Sequence, residues 1–311
     1  MQILCVCPAK VATGGTESIH NLVHHLCKAG ADARVLYVGK DLNDPQPEEY
    51  KKYGCIYHIG IPADFHGVVI LPEIMANQIT DEYKAYKVAV HWQGVDVYYW
   101  SNPERTHDTY LCRGKCIHIA NCEYAMNHLR SKGLKPIKVS DALNDDFFQD
   151  FTEEYERSNV VLYNPTAIKL TDFQKIIMAR CTTEYGIKFQ PICGYSRSEL
   201  IDLFRHSKLY IDFGVFSGRE RLPREAVMCG CCIITSKTGA AGYYEDVHIP
   251  DRYKLQNEEK AIKMIKYVLD NFETCRNDFN KCKEALKQDK QNYPKEVEAL
   301  YNEILSYYSG V

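Results

Sequence analysis

The residues that could do chemistry are densest between Lys208 and Asp246, where Arg219, Arg221 and Arg224 share one short run, G-R-E-R-L-P-R-E-A, with Glu220 and Glu225. The pattern reads as a strand from Leu209 to Phe213, a loop, a short helix opening near Glu225, and a second strand from Cys231 to Thr235 that enters a Gly-rich turn. A helix N-terminus presents unpaired N–H groups and the positive end of the helix dipole, so arginines delivered there make a pocket for a diphosphate. A glutamate at the helix start can accept hydrogen bonds from a pair of sugar hydroxyls.

The run P-R-E-A-x-x-x-G-C-C-I-I-T-S, with the Gly/Ala turn and Glu245 after it, resembles the donor-binding segment of GT-B glycosyltransferases, notably the retaining enzymes of family four. The resemblance implies that Glu225 holds the ribose of a nucleotide sugar. The family's sugar-contacting Glu falls on Ser217 here, so either Glu220 takes over that contact or the donor is held differently. Lys169 occupies the family's phosphate-binding Lys position, while Asn164 stands where an Arg is expected. Arg219 or Arg221 would then supply the missing charge. Gly14, Gly15 and Thr16 resemble the glycine-rich first loop, which lets backbone approach donor phosphates and acceptor. His91, at the end of an apolar strand, takes the place of a His that meets the transferred sugar; a loop-capping role is the alternative. His91 and Glu220 are thus the catalytic candidates, and Gly14, Gly15, Lys169, Arg219, Arg221 and Glu225 the donor-binding ones.

These residues need elements to position them. Ile3 to Cys7 reads as a strand, Glu17 to Lys28 as a helix with Ile19, Leu22, Val23 and Leu26 on one face, and Arg34 to Val38 as a strand. Such β-α-β alternation implies a parallel sheet covered by helices. Further strands are expected at Cys55–Ile59, Val68–Leu71, Lys87–His91, Cys116–Ala120, Ile137–Ser140, Val160–Tyr163 and Phe189–Ile192. Helices are expected at Glu123–Ser131, Asp172–Cys181, Ser198–Arg205, Glu258–Leu269 and Phe279–Leu286, with a capping-box signal at the Ser-x-x-Glu of the third. After Pro294 comes a last helix, whose stripe of Val297, Leu300, Tyr301, Ile304, Leu305 and Tyr308 needs a partner surface. The fold expected from the resemblance is α/β of the GT-B type: two Rossmann-like domains facing across a cleft, with the C-terminal helix crossing back to the N-terminal domain. The corresponding divisions are 1–150 on the acceptor side, 151–290 for the nucleotide sugar, and 291–311 for the returning helix.

Composition narrows the function classes. A chain of 311 residues can bury two cores. A net charge of −3 lacks the basic footprint of a nucleic-acid binder. No apolar run is long enough to span a bilayer and the start lacks a signal-peptide pattern, which places the protein in the cytoplasm. The fourteen cysteines are read as reduced thiols, with Cys5, Cys7, Cys229, Cys231 and Cys232 as small buried hydrophobes. Cys112, Cys116, His118 and Cys122 are the nearest approach to a zinc pattern, and core packing is the preferred reading. There is no D-x-D, and no metal or cofactor is expected. The resemblance implies transfer of a sugar, hexosyltransferase-like, from a nucleoside diphosphate sugar to a saccharide or lipid-linked hydroxyl, in polysaccharide or glycolipid assembly, with peripheral membrane contact allowed. A nucleotide-sugar 2-epimerase and a non-catalytic nucleotide-sugar-binding subunit are the alternatives.

Overall fold

The computed structural model of the chain describes residues 1–80, 82–104, 111, 116–149 and 155–309. Two compact units partition it: Met1–Ala142 with Gln291–Val311, and Leu143–Lys290.

The first unit is built on a seven-stranded sheet of order β3-β2-β1-β4-β5-β6-β7, every neighbouring pair parallel. Its strands are β1 (Gln2–Pro8), β2 (Asp32–Val38), β3 (Tyr57–His58), β4 (Val68–Pro72), β5 (Lys87–Trp92), β6 (Ile117–Ala120) and β7 (Ile137–Lys138). Runs such as Val-Val-Ile-Leu in β4 are buried throughout, as strands covered on both faces must be. Helix α1 (Gly14–Lys28) begins earlier than the expected Glu17, because Thr13 and Thr16 form a reciprocal capping box that draws both glycines into the first turn. Its Leu22, Val23 and Leu26 are fully buried. Two shorter helices, α2 (Val95–Ser101) and α3 (Glu123–Ser131), follow β5 and β6.

The second unit has a four-stranded parallel sheet of order β11-β10-β8-β9: β8 (Ser158–Tyr163), β9 (Phe189–Pro191), β10 (Ser207–Asp212) and β11 (Cys232–Thr235). Helices α4 (Asp172–Tyr185), α5 (Arg197–Arg205), α6 (Arg221–Met228) and α7 (Glu258–Asp270) alternate with or follow these strands. The Ser-x-x-Glu signal is realised at α5, where Ser196 and Glu199 cap each other's backbone.

The C-terminal segment differs from expectation in one respect. Phe279–Leu286 and the stretch after Pro294 are not separate helices but parts of one, α8 (Asn280–Ser309), with Pro294 inside it. Proline removes one backbone hydrogen bond and costs a helix interior about 3 kcal/mol. Burial on either side of it offsets that cost. Tyr293, Val297, Leu300 and Ile304 join the core of the first unit with Ile3, Leu22, Val35 and Ile70. Glu296 accepts from Ser140 N and Oγ at 2.8 and 2.6 Å, and Tyr308 donates to Val88 O at 2.5 Å. The last helix therefore returns to the N-terminal unit. Among the described residues no helix is long and apolar enough to cross a membrane.

Because Leu300 is fully buried in that core, Leu300→Ala is expected to cost about 2–5 kcal/mol in urea unfolding. A loss under about 1 kcal/mol would mean that the C-terminal segment is not integral to the first unit.

Candidate functional site

In an open parallel sheet, ligands sit beyond the carboxyl ends of the strands, where the strand order reverses. In the second unit the chain moves from β8 to β9 on one side and returns through β10 to β11 on the other, so the reversal lies between β8 and β10. The loops that leave these strands meet at Gly214. A Cβ there would lie 2.6 Å from both Cα and Cδ of Lys169, so only glycine allows the approach. Lys169 is buried, donates to Val215 O at 2.6 Å, stands 4.4 Å from the centre of the Phe216 ring, and pairs with Glu220 at 3.3 Å and Asp212 at 3.7 Å. Asp212 also accepts from Gly214 N at 3.0 Å and from the Tyr210 hydroxyl at 3.1 Å. Burial pushes both carboxyls above the ordinary carboxylate range. The Lys169 ammonium opposes the rise at each, and the Asp212 carboxylate adds to it at Glu220.

Glu225 is not at a helix start, as the sequence suggested. Helix α6 opens at Arg221 with Glu220 as its N-cap residue, and Glu225 lies further along, buried. Pro223, a residue type that also often precedes a helix, falls within the first turn here. Proline is equally at home inside the first turn, whose N–H groups lack intrahelical partners anyway. Arg224, also buried, donates to the carbonyls of Glu220 (2.9 Å) and Arg219 (2.7 Å), so it braces its own turn. The buried Arg219 guanidinium is held by the Asp289 carboxylate. Arg221 is half-buried. Asn164, in the position of the missing Arg, accepts from Thr166 N at 3.0 Å and so shapes the loop that carries Lys169. Lys169 and Glu220 are thus brought into direct contact. Asp212, which joins them, was hidden in sequence at the end of an apolar strand, where an acid gives no periodic signal.

In the first unit the strand order reverses between β1 and β4. Gly14 and Gly15, which follow β1, are half-buried in the first turn of α1 rather than in a free loop. A Cβ on Gly15 would lie 2.7 Å from Gln93 Oε1. Glu73 follows β4 and is buried; its Oε2 accepts from Gln93 N at 3.0 Å. Burial raises the Glu73 carboxyl to about 7, against the pull of the backbone amides bound to it. His91, next to last in β5, is buried, and its Nδ1 lies 3.4 Å from Gln93 Nε2. Desolvation lowers it to about 4 in spite of the Asp141 carboxylate, so the ring is neutral near pH 7. Tyr98 is packed on Trp92, whereas Trp100 is exposed.

Cys116, His118 and Cys122 serve packing. Trp92 donates to His118 Nδ1 at 3.0 Å, the Cys116 sulfur lies 3.4 Å from His118 Nε2, and Cys122 accepts from Ala125 N at 3.5 Å to cap α3. Cys112 lies outside the described residues. Among those described, no three metal-ligating side chains gather. Cys5, Cys7, Cys229, Cys231 and Cys232 are buried, and burial raises Cys7 and Cys231 to about 12, so they stay protonated thiols.

No family model and no curated protein matches the sequence. Solved structures do match, across the whole chain. Sucrose-phosphate synthase from Thermosynechococcus elongatus aligns with a TM-score of 0.73 at 12% identity, covering 98% of this chain and 99% of that one. HepE from Anabaena, solved in complex with UDP-glucose, aligns at 0.64 and 11% identity, over 100% of both chains. The chain has the GT-B fold. A Listeria monocytogenes protein provisionally assigned as a UDP-N-acetylglucosamine 2-epimerase shares this fold at a TM-score of 0.61 and 11% identity, covering 100% of this chain and 97% of that one. At these identities the likeness fixes the GT-B architecture alone.

The Glu73 carboxyl yields a test by stability. Folded, it keeps its proton up to about pH 7, against an ordinary 4.5, so the stability it contributes is present below that ordinary value and is lost as pH rises through the folded one. Glu73→Gln carries no such loss. Relative to wild type it should gain up to about 3 kcal/mol between roughly pH 5 and pH 8 in urea unfolding. Parallel pH profiles would contradict the assignment.

Proposed function

We propose that the protein is a glycosyltransferase that moves a sugar from a nucleoside diphosphate sugar to a hydroxyl acceptor. The observation that carries this reading is the Lys169–Glu220 contact at the β8/β10 reversal, in a fold shared end to end with a protein solved with UDP-glucose. In the proposed reaction the bond between the sugar's anomeric carbon and the diphosphate oxygen breaks, and a bond from that carbon to the acceptor oxygen forms. The acceptor's proton leaves with the diphosphate. Charge developing on the leaving group is met by Lys169, by Arg219 or Arg221, and by the N-terminal amides of α6, all fixed before the reaction begins. On binding, Lys169 exchanges the Glu220 carboxylate for phosphate oxygens, and Glu220 becomes available to sugar hydroxyls. Glu225 is assigned to the ribose, Gly14 and Gly15 to backbone approach, and His91 to the transferred sugar. Retention at the anomeric carbon, a saccharide or lipid-linked acceptor and a cytoplasmic setting complete the proposal on the family likeness. The shared fold of the Listeria monocytogenes protein supports a second reading, 2-epimerisation of a nucleotide sugar.

A panel of UDP, GDP, dTDP, CMP and ADP sugars, incubated with saccharide and lipid-linked acceptors, tests the reading by acceptor-dependent release of the nucleotide product. Lys169→Met is expected to lower kcat/KM by about 10²–10³, as removal of one fixed group at a developing charge does. Lys169→Arg controls for the two carboxylates that Lys169→Met leaves uncompensated. Wild-type turnover in Lys169→Met would remove the residue from the site, and epimer formation without acceptor would replace the transferase reading.

A further inference from the structure

Gln93, Glu73 and Asn121, at the carboxyl end of the seven-stranded sheet, have no role in the reaction as proposed, yet their contacts converge. Gln93 is the hub. Its N–H donates to Glu73 Oε2 at 3.0 Å, its carbonyl accepts from Asn121 Nδ2 at 3.3 Å, and its side-chain nitrogen stands 3.4 Å from His91 Nδ1. The other end of the same side chain, Oε1, occupies the space left by the absent Cβ of Gly15. Asn102 donates to the Glu73 carbonyl at 3.2 Å and to Tyr98 O at 2.8 Å, so the acid that holds Gln93 is itself anchored to α2.

An amide nitrogen can only donate, so Nδ1 of His91 is the acceptor and the ring proton resides on Nε2. We propose that Gln93 and Glu73 are positioning residues that hold His91 in this tautomer, so that its Nε2–H donates to a hydroxyl of the transferred sugar rather than to a phosphate. The identity of that ligand rests on the glycosyltransferase reading; the tautomer does not. A hydroxyl can accept from His91 Nε2–H and also donate to an acceptor beside it, whereas an ionised phosphate only accepts. Asn121 Oδ1, buried and without a hydrogen-bond partner, is an acceptor on the neighbouring loop after β6, held against the same turn by its Nδ2. Among the described residues Asp141 is the charged group whose field acts on the His91 ring, and Glu73 is linked to that ring through Gln93. The arrangement is the one by which an outer hydrogen bond fixes which imidazole nitrogen faces a ligand.

Nitrogen-detected NMR of histidine-labelled protein, with His91 assigned by a His91→Gln variant, should show the Nε2–H tautomer in wild type and a mixture in Gln93→Leu. In that variant kcat/KM with the nucleotide sugar should fall about three- to tenfold, the loss of one neutral hydrogen bond, while the Kd for the bare nucleoside diphosphate stays unchanged. Glu73→Ala should reproduce both effects, and Glu73→Gln, which keeps an acceptor for the Gln93 amide, should restore them. An Nδ1–H tautomer in wild type, an unchanged tautomer in Gln93→Leu, or equal weakening of the bare diphosphate and the nucleotide sugar would each overturn the proposal. Failure of wild type to bind any nucleotide sugar would sink the glycosyltransferase reading and the hydroxyl assignment with it, leaving the tautomer to be decided by NMR alone.

Discussion

A buried ammonium has to be compensated, and much of the second unit follows from how Lys169 is. Taking such a charge out of water costs several kcal/mol unless opposite charge and hydrogen bonds replace the hydration. Asp212, Glu220, the Val215 carbonyl and the Phe216 face make that replacement. The last three of these groups need the backbone of the loop after β10 to close onto the loop after β8, which is why glycine stands at 214. Ser236 and Thr238 then brace the Gly214 carbonyl from the loop after β11, each at 2.9 Å. A ligand anion offered to Lys169 competes with Glu220, the more exposed of its two carboxylates. In the proposed reaction the same ion pair would compensate Lys169 before the donor binds and free Glu220 once it does.

The two sheets use the same geometric rule with different chemistry. At the reversal point of the four-stranded sheet the groups are ionic, suited to a diphosphate. At that of the seven-stranded sheet, and on the neighbouring β5 and β6, they are amides, an uncharged imidazole and a carboxyl raised to about 7, suited to hydroxyls. Burial is the common cause: the pull of Asp141 fails to keep His91 charged, and the amides bound to Glu73 fail to hold it in the ordinary carboxylate range.

Most of the scaffold was legible because strand and helix periods alternate along the chain and local caps agree with them. Glu123–Ser131 was read at its observed bounds, and Ser196 with Glu199 announced α5 by side-chain chemistry alone. The errors have a shared origin in tertiary burial or turn chemistry overriding punctuation. Pro294 sits inside α8, where a helix was expected to begin only after it, and Gly14 and Gly15 sit inside α1, where a loop was expected; α6 opens at Arg221, ahead of the expected Glu225. Of the site, Lys169 and Glu220 could be named from spacing within a familiar segment. Asp212, Gln93 and Asn121 could not, since their partners come from loops far away in sequence. Glu73 was visible as an acid at a strand end, but its anchoring of the Gln93 turn needs the fold.

Hydrogen exchange of the wild-type protein, read by mass spectrometry with and without each nucleoside diphosphate sugar, tests the central claim most directly. Binding at the β8/β10 reversal predicts slowed exchange in residues 166–171 and 213–224, the segments that carry Lys169 and Glu220. Protection confined to other segments, with these two unchanged under saturating ligand, would contradict the assignment of that reversal as the donor site.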